Sequence, residues 1–373
     1  MQNSSFDTAP IFYNRNGFKQ LNRFIKNTSY SNLFVLIDQH TQIFCLPTLK
    51  EELEFPFYMI PIKAGEKYKN LNTSQYIWEA LSELGADRDS ILINLGGGVI
   101  TDMGGFAAAT FKRGMRFINI PTTLLGMVDA AIGGKTGVDF KGLKNQIGVF
   151  QNSIATLIDI NFLDTLPKRE LASGLAEVMK YGLISNPKVW EAIVELDSDD
   201  LQIPSFLIKE SVAIKSAIVE EDPKEKGIRK TLNFGHTLGH AIETYYLSKP
   251  KKQQLLHGEA IAMGMVLALH LSYQTQGLSL EKVNQFSIQI LKFYSKEVKI
   301  MTKIRNKSTL PQIDHDNYYD IIELLKHDKK NHNGQVNFVL LSGEQIPKLD
   351  CHISIDEIAM ATSYYNDANM GFY

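Results

Sequence analysis

The chain has few cysteines and no strong excess of charge of either sign. Among its 373 residues only Cys45 and Cys351 are cysteines, so a disulfide framework is excluded and a reducing compartment is indicated. Lys and Arg number 39 against 41 Asp and Glu, which lacks the basic excess of nucleic-acid-binding proteins. We therefore expect no nucleic-acid partner.

Long apolar runs are also missing. No stretch of about 18 uncharged apolar residues occurs, so no membrane-spanning helix is predicted. The first residues, Met1 to Asp7, show no basic segment followed by an apolar run, which argues against a signal peptide. Together with the cysteine usage, these absences predict a cytoplasmic protein with no membrane partner.

The first part of the chain alternates between strand-like and helix-like segments. A helical periodicity covers Thr73–Leu84 and stops at Gly85. Short apolar runs predict buried strands at residues 33–37, 57–60, 91–95, 117–120 and 156–160. Continuous apolar strands separated by helices indicate a parallel sheet covered on both faces. Residues 1–165 are therefore predicted to form an α/β nucleotide-binding domain.

Beyond Pro167 the pattern becomes helical. Helices are predicted over residues 169–183, 187–196, 204–219, 233–246, 257–276 and 280–294. A strand pattern returns only at Val336–Leu341. Residues 166–373 are thus predicted to form a mostly α-helical second domain.

A glycine run follows the strand at 91–95. Gly96, Gly97 and Gly98 come directly before a small-residue helix that contains Asp102. Glycines at the carboxyl end of a parallel strand let a backbone approach a phosphate, and the next helix supplies N–H donors. A tight turn would use the same residues, but the strand–glycine–helix order favours pyrophosphate binding. Thr122 and Thr123 follow the next strand and could contact a ligand, although a helix cap is the simpler interpretation.

A second glycine-rich segment carries lysines. Asp129 precedes Gly133-Gly134-Lys135-Thr136, which fails the P-loop pattern because Asp129 stands where its first glycine should be. Lys144 and Asn145 follow closely. Two lysines and an asparagine in a largely uncharged segment favour binding of an anion over a solvated loop.

Histidines form the most informative cluster. Arg229, Asn233, His236 and His240 would share one stripe if the segment were helical, and His257 opens another apolar helix. A single histidine in such surroundings is usually a satisfied core residue. Three of them, with a helical carboxylate elsewhere, predict a divalent metal site. The H-E-x-x-H pattern of zinc proteases is absent because Thr237 follows His236.

Two further pairs of charged residues do not by themselves indicate a functional site. Glu177 and Lys180 are three residues apart on one predicted helix and would usually form a surface ion pair. Lys329 and Lys330, after Asp328, are typical of a solvated turn.

Read in order, these segments resemble the 3-dehydroquinate synthase family. The matching stretches run from about residue 62 to 341 and include GGGVITDMGGFAAATFKRGMRFINIPTTLL (96–125), VDAAIGGKTG (128–137), LKNQIG (143–148), LPKRELASGLAEVMKYGLI (166–184), GIRKTLNFGHTLGHAIE (227–243) and LHGEAIAMGM (256–265). Motif order and the long spacings make this resemblance far more specific than any one motif.

The resemblance implies the fold, cofactors and reaction. It implies an NAD-binding α/β domain and a helical domain that holds Zn²⁺ or Co²⁺, in a homodimer. The implied enzyme is a phosphate-eliminating carbon–oxygen lyase of the shikimate pathway of aromatic amino acid biosynthesis. It would convert 3-deoxy-D-arabino-heptulosonate 7-phosphate into 3-dehydroquinate by transient oxidation, phosphate elimination, reduction and aldol closure.

The resemblance also implies roles for individual residues. The metal ligands would be Glu177, His236 and His257, with His240 a site histidine that does not bind the metal, which corrects the pairing that spacing alone suggests. Catalytic or substrate positions would be Asp129, Lys135, Asn145, Lys180, Lys215, Arg229, Asn233, His240 and one of Lys329 and Lys330. Cofactor positions would be Asp38, Glu66, Lys69, Gly97, Gly98, Val99, Ile100, Thr101, Asp102, Thr122, Thr123, Lys135, Lys144, Phe162, Leu163, Asp164 and Thr165.

Some positions depart from the family pattern. Ala64 stands where Asp is common, Thr101 where many members have Gly, and Gly126-Met127 where Ser-Gln is frequent. Two other enzymatic interpretations remain: another sugar phosphate cyclase, or a glycerol-dehydrogenase-like NAD- and metal-dependent oxidoreductase. A non-catalytic metal- or NAD-binding protein is a third. Asn145, Lys215, Asn233 and His240 follow the dehydroquinate synthase pattern and favour it over another cyclase. The lysine and arginine set favours a phosphorylated, carboxylated substrate over that of an oxidoreductase. The presence of every expected catalytic residue argues against a non-catalytic protein.

Overall fold

The computed structural model describes residues 9–300, 303–308, 310–325 and 336–371. Lys329 and Lys330 lie outside the described residues. The chain divides into two compact units. The first unit comprises residues up to Leu171 together with Lys215–Lys224, and the second comprises Ala172–Ile214 and the residues from Glu225 onward.

The first unit is built on a six-stranded sheet in which every pairing is parallel. Its strands, in spatial order, are β1 (Ile11–Tyr13), β8 (Ala155–Ile158), β5 (Arg116–Pro121), β4 (Ile91–Gly96), β2 (Leu33–Asp38) and β3 (Tyr58–Ile62). Its helices are α1 (Asn14–Lys26), α2 (Gln39–Phe44), α3 (Leu46–Glu52), α4 (Leu71–Glu83) and α5 (Gly98–Thr110). The apolar strands β2 and β4 are buried along nearly their whole length because helices cover the sheet.

The strand order places a switch point between β2 and β4. These strands are neighbours, while β3 lies beyond β2 and β5 lies beyond β4. Loops at the carboxyl ends of such a pair diverge and leave a crevice, which is the usual ligand position in open α/β sheets. Asp38 ends β2 and Gly96 ends β4, so both lie at this crevice.

An antiparallel hairpin lies outside the main sheet of the first unit. It consists of β6 (Lys135–Phe140) and β7 (Leu143–Phe150), and it follows a short π-helix at Gly126–Ala130. Short 3-10 helices occupy Glu66–Tyr68, Phe111–Arg113 and Ile160–Thr165.

The second unit is mostly helical. Its helices are α6 (Lys168–Ile184, whose first residues belong to the first unit), α7 (Pro187–Val194), α8 (Ser205–Glu221, whose last turns belong to the first unit), α9 (His236–Leu247), α10 (His257–Gln276), α11 (Leu280–Lys292), α12 (His315–Leu325) and α13 (Ile355–Asn369). It also has 3-10 helices at Ile228–Asn233 and Lys251–Gln253. Two hairpins pair β9 (Ser295–Ile300) with β10 (Lys303–Ser308) and β11 (Asn337–Leu341) with β12 (Pro347–His352). The central helix α10 packs against α9, α11 and α13.

The predicted α/β domain followed by a helical domain is confirmed as a fold class, with two corrections. The helix expected from Asn233 begins instead at His236, because Gly235 adopts a left-handed conformation at φ 75° and interrupts it. Strands other than β11 also occur in the second unit, at β9, β10 and β12. Within the described residues, no helix combines the length and the apolar character needed to cross a membrane.

Candidate active site

Three helices of the second unit bring together one carboxylate and two imidazoles. Glu177 lies in the interior of α6, whereas His236 and His257 are the first residues of α9 and α10. Oε1 of Glu177 lies 3.3 Å from Nε2 of His236 and 3.3 Å from Nε2 of His257. The structure therefore brings together the three residues predicted as metal ligands.

The beginning of α10 is held directly against α6. The backbone N–H of Gly258 donates to Oγ of Ser173 at 2.9 Å, and a Cβ at Gly258 would lie 1.8 Å from the carbonyl oxygen of Ser173. The Tyr294 hydroxyl donates to the carbonyl of Ala172 at 2.9 Å. A glycine at this position lets His257 approach the helix that carries Glu177.

The charges around Glu177 keep it ionised. Burial raises its pKa, but Lys180 and His236 outweigh that effect and hold the pKa well below its usual value. Lys180 donates to Oε2 of Glu177, and both side chains are buried. The predicted alternative of a solvent-exposed ion pair is therefore wrong, and Oε1 faces the two histidines.

The two histidines experience different fields. Burial, with Lys180, lowers the pKa of His236. Burial also acts to lower the pKa of His257, but Glu243 and Glu177 outweigh it and raise that pKa to about 10. The field at the His257 ring therefore strongly favours a positive charge nearby.

The donor set fits a divalent cation. The ligand atoms of Glu177, His236 and His257 all lie within 4.8 Å of one another. Two imidazole nitrogens and one carboxylate oxygen are typical of a catalytic zinc site that keeps a position open for another ligand. A second group with the same mutual spacing comprises His240, Glu243 and His257, and it shares His257 with the first.

In the first unit, the loop after β4 forms a backbone cradle. Gly97 immediately precedes α5, and a Cβ on Gly97 would lie 2.9 Å from Cγ2 of Thr123. The N–H of Thr122 donates to the carbonyl of Gly96 at 3.1 Å, which ties the ends of β4 and β5 together. This arrangement gives a phosphate access to backbone donors at a helix N-terminus, and it fits the pyrophosphate of a dinucleotide.

Asp38 holds the neighbouring loop. Its Oδ1 accepts from the N–H groups of His40 and Thr41, both at 2.9 Å, so it caps α2. An acidic residue at the end of the strand next to the glycine loop is the usual partner of a nucleotide ribose. The sequence-predicted cofactor residues Asp38, Gly97 and Gly98 thus lie at the ends of two neighbouring strands.

A buried lysine, Lys69, links two other predicted site residues. Nζ of Lys69 donates to Oδ2 of Asp102 at 2.6 Å and to Oδ1 of Asn145 at 2.7 Å. Burial acts to lower the pKa of Lys69, but Asp102 and Glu66 outweigh it and raise that pKa. Burial raises the pKa of Asp102 and is opposed by Lys69. Lys144 forms an ion pair with Glu66 at 3.0 Å beside this network.

The other predicted cofactor positions differ in whether their side chains are buried or exposed. Ile100 and Thr101 are buried in the first turns of α5, and Ile100 belongs to the core of the unit, so their side chains face the interior. Val99 precedes them in the same turn. The segment Phe162–Thr165 lies in a 3-10 helix after β8, where Phe162 and Leu163 are buried and Asp164 and Thr165 are exposed.

Lys215 pairs with Asp129 within the first unit. Its Nζ donates at 2.6 Å both to Oδ1 and to the backbone carbonyl of Asp129, which lies in the π-helix. Lys215 is 6% exposed. The structure therefore brings together two predicted substrate residues that are far apart in sequence.

Arg229 and Asn233 lie on the 3-10 helix that precedes Gly235, and so are not on one helix with His236. Arg229 is 2% exposed, and Nδ2 of Asn233 donates to Oε1 of Glu225 at 2.8 Å. Lys135, by contrast, is exposed at the start of β6.

Sequence reasoning missed Glu243. Its Oε2 lies 3.2 Å from Nδ1 of His257, and its side chain is 2% exposed. A signal was present, because His236, His240 and Glu243 are spaced four and three apart and share one face of α9.

The sequence matches two family models that adjoin each other. The model described as 3-dehydroquinate synthase N-terminal matches residues 59–173, and the one described as 3-dehydroquinate synthase C-terminal matches residues 174–331. Among similar proteins, the 3-dehydroquinate synthase of Parabacteroides distasonis is 42% identical over 354 residues, covering 94% of this chain and 95% of the relative. That of Dictyoglomus thermophilum is 37% identical, covering 91% of each chain.

Solved structures share the fold at lower identity. The 2-epi-5-epi-valiolone synthase of Streptomyces hygroscopicus, with NAD⁺ and Zn²⁺ bound, superposes with a TM-score of 0.80 at 24% identity over 99% of each chain. A 2-deoxy-scyllo-inosose synthase complexed with carbaglucose-6-phosphate, NAD⁺ and Co²⁺ gives 0.78 at 23% identity, covering 95% of this chain and 96% of that one. The glycerol dehydrogenase of Schizosaccharomyces pombe gives 0.62 at 14% identity, covering 99% of this chain and 92% of that one.

Proposed function

The chain belongs to the 3-dehydroquinate synthase family, and from that membership we propose that it converts 3-deoxy-D-arabino-heptulosonate 7-phosphate into 3-dehydroquinate and phosphate. It is thus a phosphate-eliminating carbon–oxygen lyase that acts on a small phosphorylated sugar acid. The observation that carries the proposal is the cluster of Glu177, His236 and His257, in which one carboxylate oxygen lies 3.3 Å from both imidazoles.

Glu177, His236 and His257 would hold a Zn²⁺ or Co²⁺ ion. When bound, the ion would supply Lewis-acid polarisation of a substrate oxygen. Lys180 fixes Glu177 through Oε2, so that Oε1 keeps its direction toward the histidines. The backbone carbonyl of Phe234, 2.9 Å from Nδ1 of His236, keeps the Nε2 of that ring directed at the same point.

The first unit would hold NAD⁺ and correspond to an NAD-binding domain of residues 1–165. The second unit would correspond to a metal- and substrate-binding domain of residues 166–373. When bound, NAD⁺ would supply the transient oxidation of a secondary alcohol and the return of the hydride. Gly97 and Gly98 would present backbone donors to its pyrophosphate, and Asp38 would bind a ribose. The remaining cofactor positions would contribute as the family resemblance implies.

The basic side chains would bind and orient the substrate. Lys135, Lys180, Lys215 and Arg229 would neutralise its carboxylate and phosphate, since charge-assisted hydrogen bonds to such groups are strong. Asp129 holds the Nζ of Lys215 through two oxygens, which fixes the direction of that ammonium group. Asn145 and Asn233 would position substrate hydroxyls, each being held by a charged neighbour, Lys69 and Glu225. Lys329 and Lys330 stay a sequence prediction.

His240 would move a proton at a ring nitrogen. Its ring centroid lies 5.2 Å from that of His236 and 6.0 Å from that of His257, on the same helix face as His236. An imidazole can give and take a proton near neutral pH, which suits the ring opening and closure that complete the reaction.

One assay tests the proposed function. Purified protein is mixed with NAD⁺, Zn²⁺ and the heptulosonate phosphate, and released phosphate and 3-dehydroquinate are measured. Activity should disappear after metal removal with a chelator and return with Zn²⁺ or Co²⁺. The competing substrates are a sugar phosphate that lacks the carboxylate, and glycerol. Turnover of one of these, with no phosphate released from the heptulosonate phosphate, would instead favour another cyclase or an oxidoreductase.

A homodimer is the proposed assembly. Support comes from β3, the outermost strand on its side of the sheet, where Tyr58 and Met59 are 48% and 44% exposed. Ile43 and Phe44 of α2, which packs beside β3, are also exposed. An apolar edge strand is a surface that proteins usually cover. Sedimentation equilibrium should give twice the 42.0 kDa chain mass, and Met59→Lys should shift the equilibrium toward monomer if this edge is the interface.

A cytoplasmic location is the proposed compartment. Cys45 and Cys351 are both free thiols buried in the structure, which suits a reducing environment. Fractionation of cells that produce the protein, followed by immunodetection, should find it with cytoplasmic markers.

A further inference from the structure

We propose that Glu243 is a positioning residue that fixes the orientation and tautomer of the His257 ring and thereby sets the affinity of the site for its divalent cation. The proposal rests on the metal site of the proposed function and assigns a role to a residue outside the ligand set.

The two nitrogens of His257 are directed at different carboxylates. Nε2 lies 3.3 Å from Oε1 of Glu177, whereas Nδ1 lies 3.2 Å from Oε2 of Glu243. A carboxylate only accepts, so Nδ1 must carry the proton that bonds to Glu243. A divalent cation held beside Oε1 of Glu177 would then take the place of a proton on Nε2, so that Nε2 binds the cation while Nδ1 keeps its hydrogen bond to Glu243.

His236 reaches the same tautomer by a different route. Its Nδ1 lies 2.9 Å from the backbone carbonyl of Phe234, and its Nε2 lies 3.3 Å from Oε1 of Glu177. A neutral carbonyl therefore orients one ligand and a charged carboxylate orients the other. A histidine that donates to a carboxylate becomes a stronger ligand. Loss of Glu243 should weaken one of the two imidazole ligands and leave the other intact.

The burial of Glu243 supports this role. Its side chain is 2% exposed on α9, a helix that packs along α10. A buried carboxylate without a charged or hydrogen-bonded partner is costly, and the Nδ1–H of His257 is such a partner. The mutual hydrogen bond thus joins the second turn of α9 to the first residue of α10.

A second cation bound by His240, Glu243 and His257 is the competing interpretation. That ion would need the Nδ1 of His257 while Nε2 serves the first site. Both ring nitrogens can bind cations at the same time only if the neutral imidazole gives up its one N–H proton and becomes an imidazolate. The hydrogen bond to Glu243 requires that proton, so the geometry favours positioning.

The test compares metal binding by wild-type protein with that of Glu243→Gln and Glu243→Ala. Metal-free protein is titrated with Zn²⁺ against a competing chelator, and the visible absorption of the Co²⁺ form reports the ligand field. Glu243→Gln keeps an acceptor for Nδ1–H and should bind Zn²⁺ up to about tenfold more weakly. Glu243→Ala should bind about 10–100-fold more weakly, with an altered Co²⁺ spectrum. NAD⁺ affinity should stay unchanged in both.

Glu259→Gln is the matched control. Glu259 is another buried acid of the second unit, on α10, and its carboxylate accepts from the N–H of Leu256. Its replacement should change Zn²⁺ affinity by less than a factor of about three. Thermal unfolding of the metal-free variants identifies any variant that fails to fold. If Glu243→Ala fails to fold, the nearly isosteric Glu243→Gln still tests the proposal.

Three outcomes would contradict the proposal. Wild-type Zn²⁺ affinity and an unchanged Co²⁺ spectrum in both Glu243 variants would overturn it. Two Zn²⁺ per wild-type chain, of which Glu243→Ala loses only the second, would overturn it in favour of a second cation site. Wild-type protein that binds no cation would overturn the proposed metal site itself, and this inference with it.

Discussion

Cys45 lies between α2 and α3, where its side chain is shielded from solvent. Burial, with a contribution from Asp38, raises the pKa of its thiol from 9.0 to about 11, although a hydrogen bond with Thr122 opposes the shift. The native state therefore keeps the proton over a pH range in which the unfolded chain loses it. Reactivity and stability at this residue should both follow that difference.

In a Cys351→Ser variant, where Cys45 is the remaining thiol, reaction with Ellman's reagent at pH 8 should be about 100-fold slower in native than in unfolded protein, because the thiolate is the nucleophile. The native state binds more protons between pH 9 and 11, so unfolding free energy should fall as pH rises through that interval and be unaffected by Cys45 below it. Equal labelling rates in the two states would show that the thiol is accessible.

Lys69 is the residue that joins Asp102 and Asn145 in the proposed cofactor site. Lys69→Met removes the ammonium group that donates to both Asp102 and Asn145, and the loss of a hydrogen bond to a charged group costs about 1.5–3 kcal/mol. We expect NAD⁺ to bind about tenfold more weakly by calorimetric titration. Lys67→Met is the control, since Lys67 is exposed and its ammonium group lies over the ring of Tyr68, at 4.8 Å from the centroid. Equal affinities in the two variants would remove Lys69 from the cofactor site.

At the scale of elements, the junction of α6 and α10 is the tightest contact near the proposed metal site. A methyl at Gly258 would overlap the backbone carbonyl of Ser173, which cannot move without shifting α6. Gly258→Ala should therefore destabilise the protein by about 1–3 kcal/mol and lower its Zn²⁺ affinity, since His257 precedes the glycine. Denaturant titration and metal titration measure the two effects.

Gly343→Ala provides the comparison for that variant. Its new methyl would lie 3.1 Å from Cδ1 of Ile346, the end of a flexible side chain, so the neighbour can move. Metal affinity should not change there. A Gly258→Ala protein as stable as the Gly343→Ala protein would mean that the two helices separate easily.

Sequence patterns predicted those elements whose signals are local. Helix α10 agrees at both ends with the predicted span 257–276, because Gly277 terminates it and the apolar residues are continuous. The strands β2, β4 and β5 were predicted because each is an uninterrupted apolar run. The strand β1 has three residues, too few for any periodicity, and it depends on pairing with the distant β8.

In the candidate site, too, the sequence predicted what depends on residue spacing and missed what depends on tertiary contacts. Spacing alone grouped His236 with His240, because periodicity assumes an uninterrupted helix and gives no direction to a ring. Gly235 breaks that helix and aims the Phe234 carbonyl at His236, which a stripe of residues could not show. Pairings such as Lys215 with Asp129 arise from tertiary folding and have no local signature.

For the whole molecule, the two units should respond to different ligands. NAD⁺ should slow amide hydrogen exchange at residues 96–102 of the first unit, where the glycine loop begins α5. Zn²⁺ should slow exchange at residues 236–243 and 257–260 of the second unit. At 100 times the dissociation constant each ligand stabilises the state that binds it by about 2.7 kcal/mol. Mass spectrometry of exchanged peptides measures both effects, and NAD⁺ protection confined to the second unit would contradict the assignment.

The first unit is assembled from two separate stretches of chain. Lys215–Lys224 belongs with the residues up to Leu171, and Lys215 bonds to Asp129 from 86 positions later. At a synthesis rate of roughly 5–20 residues per second, Asp129 emerges from the ribosome about 4–17 s before the lysine that holds it. During that interval Asp129, in the π-helix, has no hydrogen bond from the ammonium group of Lys215. A stalled chain ending before Lys215 would therefore carry all six strands of the sheet but lack the lysine that anchors Asp129.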